Sequence, residues 1–133
     1  NAIFKSIEKG EKSVLAGKFK GNPPSVRSKS LAKAYAAGDK LTVRVLNEAA
    51  DVLGIGIGSL INTLAPEMVI LGGGFVDALG APYIERVAAA ARNWTFEVNR
   101  ALVKIVPAQL GDDAIFQGAA AYAREKMEQF RNL

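Results

Sequence analysis

The sequence predicts an α/β fold built on a pair of parallel strands, in the order α-α-α-β-α-β-α. Three observations predict it. Leu46, Ala49, Ala50, Leu53, Ile57, Leu60, Ile61 and Leu64 step by three or four residues, as a buried helical stripe does. Met68 to Leu71 is a short apolar run between Pro66 and Gly72, which reads as a buried strand. Leu102 to Val106, ended by Pro107, reads as a second strand, with room between the two for a crossover helix.

Taken in order, residues 2–16 are expected as a short helix, with Ile3, Phe4, Ile7, Val14 and Leu15 as an imperfect apolar face. Residues 17–30, Gly/Pro/Ser-rich, are expected as a linker. Leu31 to Ala37 gives another short helix, stopped by Gly38, and Asp39 stands ready to cap the next one. Gly54, Gly56 and Gly58 lie inside the long stripe, where each costs about 1 kcal/mol against Ala. Such a cost is tolerated where another backbone comes close. Ala50, Gly54, Gly58 and Asn62 share one i, i+4 row and should form a shallow groove. A strand over Ile55-Gly-Ile-Gly is the rival, but the stripe continues in phase on both sides and favours helix. Pro66 stops that helix. Pro82 suits the first turn of another, running to about Arg92. Asp112 or Asp113 is expected to cap a last helix from Ala114 to about Phe130.

Two strands cannot cover so many helices, since independent sheets generally need about three or more. The sheet is therefore expected to continue outside this chain, as part of a larger α/β protein; the start at Asn1 in place of Met allows either processing or a fragment.

The 133 residues, 50% hydrophobic and 23% charged, suit one domain and exclude a disordered tail. No apolar run reaches the roughly 18 residues of a membrane-spanning helix, and no charged start with a cleavage site is visible. Cysteine and histidine are both absent. That rules out disulfides, thiolate–imidazole zinc sites and any nucleophile served by a His base. Catalysis by this chain alone would fall to carboxylates, Lys or backbone groups. The net charge of +4 is uneven: residues 1–48 carry ten Lys/Arg against four Asp/Glu, and residues 49–133 seven against nine. Lys18, Lys20, Arg27 and Lys29 could touch phosphates, but they are spread around Pro23-Pro24 without helical phase, with Phe19 the only aromatic nearby. A solvated loop is the better reading.

Gly72-Gly73-Gly74, at the C-terminal end of a strand, is where α/β folds place ligands, because glycine lets a base, ribose or phosphate approach the backbone. A tight strand-to-helix turn explains the same glycines equally well. The dinucleotide pattern G-x-G-x-x-G fails at Asp77, and G-x-x-x-x-G-K-[ST] is absent. Gly54-Ile-Gly-Ile-Gly58 is better read as close helix packing than as a phosphate cradle. Asp112-Asp113, a conceivable carboxylate pair, is better explained by a helix N-terminus. Trp94 and Phe96 fit core or interface better than base stacking, and 22 alanines point to closely packed helices.

Gly54-Ile-Gly-Ile-Gly-Ser-Leu-Ile-Asn62, Pro66-Glu-Met-Val-Ile-Leu-Gly-Gly-Gly74, Leu110-Gly-Asp-Asp-Ala114 and Gly118-Ala-Ala120 together resemble the ROK family of bacterial sugar kinases, such as glucokinase, and sugar-responsive repressors. The match runs from about Leu31 to Arg124 and covers the C-terminal part of the family's sequence. Ala65 departs from it where the family often has Asn, and Gly58-Ser59 where Ala-Asn is common. The resemblance implies an actin-like, ribonuclease-H-like ATPase fold of two lobes, with residues 1–133 as the C-terminal, nucleotide-side part. It implies ATP and Mg²⁺ as cofactors of the complete protein and a hexose as phosphoryl acceptor. The family's catalytic Asp, phosphate loop, sugar ligands and zinc motif all precede the matched region, so no catalytic or metal-ligating residue is expected here. Gly72, Gly73 and Gly74 match the nucleotide-side glycines. Two functions stay open: part of a cytoplasmic, homo-oligomeric sugar kinase, inactive alone, or the sugar-binding part of a repressor whose DNA contacts lie elsewhere.

Overall fold

The computed structural model describes residues 2–19 and 26–131. Helices α1 (Ala2–Glu8), α2 (Ser28–Ala36) and α3 (Lys40–Leu64) precede strand β1 (Met68–Leu71). Helices α4 (Gly74–Leu79), α5 (Ala81–Trp94) and α6 (Glu97–Arg100) separate it from β2 (Lys104–Pro107), and α7 (Ala114–Arg131) follows. Single 3-10 turns occupy Ala16–Phe19 and Gly111–Asp113.

The long helix begins where its cap dictates. Asp39 accepts hydrogen bonds from the Thr42 amide at 2.9 Å and the Thr42 hydroxyl at 2.7 Å, which satisfies an orphan donor of the first turn. The same carboxylate accepts from the Ser13 hydroxyl at 3.0 Å and the Val14 amide at 2.9 Å. Burial opposes its charge, but the bonds from Thr42, Val14 and Ser13 prevail and hold it below the usual carboxylate range.

The expected groove is present. α3 lays Ala50, Gly54 and Gly58, all buried, against α5. A Cβ on Gly54 would run into Ala90 and come within 2.8 Å of the Ala91 amide nitrogen. One on Gly58 would meet the Ala91 carbonyl oxygen at 2.9 Å. Asn62 closes the row, donating to the Trp94 carbonyl and accepting from the Phe96 amide, both at 2.8 Å. Around this seam sits the main core of Leu46, Ile57, Ile61, Leu71, Leu79, Tyr83, Val87 and Ala91. A smaller cluster of Ile3, Leu15, Ala34 and Leu41 lies under the N-terminal segment.

β1 and β2 pair in parallel, from Met68 opposite Lys104 to Leu71 opposite Pro107. The expected buried strand is buried on one face only. Leu71 and half-buried Val69 meet the core, while Met68 and Ile70 point to the other face, where Ile70 is 63% exposed. α3 shows the same one-sidedness: Leu53, Leu60 and Leu64 of its apolar stripe are exposed.

Several boundaries differ from expectation. The helix expected over 2–16 ends at Glu8, because the chain turns at Gly10 with φ +94°. The expected linker over 17–30 contains a 3-10 turn and the first turn of α2, and its residues 20–25 lie outside the described residues. Pro82 does open a helix, but α4 precedes it and α6 follows, so the observed order has two more short helices than expected. β2 starts at Lys104 in place of Leu102 and includes Pro107. α7 begins and ends where expected, led in by a 3-10 turn holding Asp112 and Asp113.

Candidate functional site

β1 delivers the glycine run to the C-terminal end of the parallel pair. Gly72 leaves the strand beside Ala108, whose amide donates to the Leu71 carbonyl at 2.8 Å and ties the two strand ends together. A Cβ on Gly72 would sit 3.0 Å from the Ala108 Cβ, so this glycine serves the close approach of the strands. Gly73 has φ +107°, a backbone conformation that L side chains rarely adopt, and it caps α4. Its carbonyl accepts the Asp77 amide at 3.1 Å, and Gly74 opens the helix. Beyond Gly73 and Gly74 there is open space: a Cβ on either would meet nothing within 4 Å. All three glycines are exposed.

Gly74 borders a pocket of about 670 Å³ between α2 and α4. Arg27 before α2, Lys29 in its first turn and Lys33 in its last line it, with Gly74, Asp77 and Ala78 also in the lining. None of the three cations takes part in an ion pair among the described residues. A concave, open site beside a glycine turn, with several cations on one wall, suits an anionic ligand with an apolar or flat body. Phosphate-bearing ligands fit; a bare cation does not.

The sequence reading places Lys29 in a solvated loop and Lys33 in the helix expected from Leu31, so the two share no element there. Starting the helix at Ser28 places them one turn apart on a common face, which gives the cations the helical phase that the sequence reading found missing. Of the other basic residues there, Lys18 donates to the Ser30 hydroxyl at 3.0 Å, and Lys20 lies outside the described residues.

A second pocket, of about 590 Å³, lies on the other side of α4, between Asp77, Gly80, Ile84 and Glu85 and the end of β2 at Pro107 to Gln109. Among the described residues no group of three or more carboxylates gathers. Asp113 is exposed in its 3-10 turn. Trp94 and Phe96 are exposed, and their backbone groups serve Asn62. Gly54 and Gly58 pack α5 and touch neither pocket.

The pattern of the ROK family matches residues 2–126. The chain belongs to the ROK family. Across 132 residues it is 28% identical to the glucokinase of Thermotoga maritima, a match that covers 95% of this chain and 40% of that enzyme. The chain thus spans about two-fifths of this ROK relative's length. Its backbone superposes with a TM-score of 0.66 on a ROK family transcriptional regulator homologous to the E. coli MLC protein, at 25% identity over 79% of this chain and 25% of that one. A protein of Cytophaga hutchinsonii described as a sugar kinase gives a TM-score of 0.72 at 21% identity, over 92% of this chain and 39% of that one; this likeness shows the fold alone. No helix among the described residues is long and apolar enough to cross a membrane.

Proposed function

We propose that this ROK chain is the C-terminal, nucleotide-side part of an ATP-dependent hexose kinase with an actin-like fold, residues 1–133 forming one unit whose sheet continues beyond β1 and β2. The observation that carries this reading is the pocket beside the glycine turn. Gly73 and Gly74 leave room for a nucleoside against the backbone, and Arg27, Lys29 and Lys33 supply positive charge for its phosphates. The likeness to a glucokinase supports phosphoryl transfer to a sugar hydroxyl as the activity of the complete protein; that it works in the cytoplasm and as a homo-oligomer is part of the proposal. ATP would be held here, and Mg²⁺ would ride on its phosphates with ligands from outside this chain. The sequence reading set the helix after the glycines at Pro82; α4 instead begins at Gly74, but with six residues it adds no phosphate site of its own.

Positioning supplies most of phosphoryl-transfer catalysis, and the catalytic base and sugar ligands of the family precede this region. A coupled assay of the chain with ATP, Mg²⁺ and glucose is therefore expected to stay at blank rate. Titration with ATP, followed by amide NMR, is expected to move the signals of Gly72 to Gly74 and of α2 from Ser28 to Lys33. Gly73→Val places a branched side chain at positive φ in the open space and should weaken ATP binding about tenfold or more, roughly 1.4 kcal/mol. Signals that move around Ile84 and Gln109 while α2 stays still would overturn the site.

The second reading is the sugar-binding part of a ROK repressor, favoured by the likeness to the transcriptional regulator. Its DNA contacts would come from a separate helix-turn-helix, and it predicts no response of the glycine turn to ATP.

A further inference from the structure

The pocket between α2 and α4 has walls of opposite charge. Ser28, Lys29, Ala32 and Lys33 form one helical face of α2, and Gly74, Asp77 and Ala78 form one of α4. Ala32, Gly74 and Ala78 carry a single methyl or none, so between the charged groups the walls leave room for a ring. Asp77 is the only acid among the lining residues, against Arg27, Lys29 and Lys33. It is exposed, and its side chain joins no ion pair or hydrogen bond among the described residues. Its amide donates to the Gly73 carbonyl, which sets it one turn beyond the glycines on the same wall. The carboxylate also borders the second pocket, with Oδ2 3.9 Å from where a Gly111 Cβ would stand, so it forms the rim between the two.

A site for phosphate alone has no use for that carboxylate, which repels anions and only accepts hydrogen bonds. What it can bind is a neutral donor, and a nucleotide carries such donors on its ribose, next to the phosphates. A nucleoside against Gly73 and Gly74, with its phosphates toward α2, would bring its sugar to the α4 wall within a turn of Asp77. We infer that Asp77 reads the sugar of the nucleotide. Its carboxylate accepts hydrogen bonds from the 2′- and 3′-hydroxyls, so the site takes ribonucleoside polyphosphates and disfavours their 2′-deoxy analogues. This rests on the nucleotide reading of the pocket and adds its specificity. An acid in the first turn of α4 also suits the helix dipole, but that role would treat all ligands alike.

Amide NMR titrations of the chain with ATP, 2′-deoxy-ATP and inorganic triphosphate, without Mg²⁺, test this. ATP is expected to bind about five- to tenfold more tightly than 2′-deoxy-ATP. That is the lower end of what a hydrogen bond to a charged group supplies, since Asp77 is exposed. Asp77→Asn keeps the shape and removes the charge. It should erase most of that preference, and it should tighten inorganic triphosphate by about twofold or more, because a like charge is gone. The opposite signs separate this role from a structural one, which would weaken every ligand. Equal affinity of the unaltered chain for ATP and 2′-deoxy-ATP overturns the role of Asp77 and leaves the nucleotide site in place. Equal losses for all three ligands in Asp77→Asn do the same. If neither ATP nor triphosphate moves the α2 signals, the nucleotide reading falls and this inference with it.

Discussion

α3 and α7 are the two longest helices, and both carry apolar stripes with glycine and alanine among them, yet α3 buries eight residues and α7 none. The difference is one of partners. α3 meets α5 along Ala50, Gly54 and Gly58, so its small residues bring two backbones together. Gly118 of α7 has nothing within 4 Å of where its Cβ would stand. Small residues therefore mark a potential for close packing, and only the other surface decides whether it is used.

The sharpest way to break this contrast is to remove a large side chain from each helix. Ile61→Ala should cost about 2–5 kcal/mol, because Ile61 is 2% exposed in the main core. Phe116→Ala, measured by the same urea unfolding at a concentration where the chain is monomeric, should stay within about 0.5 kcal/mol. Equal losses would mean that α7 is packed in solution.

Glycines within α3 sharpen the comparison further. Gly54→Ala should destabilise by about 1–3 kcal/mol, since its Cβ would have to displace the Ala90 Cβ and the backbone of Ala90 and Ala91, none of which is the end of a flexible side chain. Gly56, one residue pair away, faces open space, and Gly56→Ala should stabilise by up to about 1 kcal/mol. Thermal unfolding of the two variants should thus shift in opposite directions. A common direction would show that helix propensity and not the α3–α5 seam governs these positions.

The stripe from Leu46 to Leu64 and the boundaries of β1 were legible because periodicity and Pro/Gly punctuation are local signals. The i, i+4 row of Ala50, Gly54, Gly58 and Asn62 was legible for the same reason, including that another backbone comes close, though not that α5 supplies it. α4 and α6, of six and four residues, are too short to display a period, so the sequence reading assigns them no helix. Burial was less legible. Leu53, Leu60, Leu64 and Ile70 read as core from their pattern, and the surfaces that would cover them are not among the described residues. In the candidate site the glycines announced themselves, while Lys29 and Lys33 acquired a common face only once α2 was known to start at Ser28.

The smallest expected effect lies at the end of α3. Ala65 ends the helix in the left-handed conformation, φ 43° and ψ 53°, immediately before Pro66. This is the position where the family often has Asn, a residue that tolerates that conformation better than Ala does. Ala65→Asn or Ala65→Gly should each stabilise by about 0.5–1 kcal/mol in urea unfolding; a loss would mean that the alanine methyl makes a contact worth more than the strain it causes.

Asp39 joins parts of the chain that are far apart in sequence. One carboxylate holds Ser13, Val14 and Thr42 at once, and together with the Glu11–Arg44 ion pair and the packing of Ile3 and Leu15 with Leu41 it moors the N-terminal cluster to the start of α3. In hydrogen-exchange terms, the amides of Val14 and Thr42 belong to one cooperative unit. Because the carboxyl titrates below its ordinary value of 3.8, the mooring is complete above that pH and slackens as the pH falls through the lower, folded value. Acid should therefore release residues 2–15 as a block, with protection at Val14 and Thr42 lost together, before the α3–α5 seam opens.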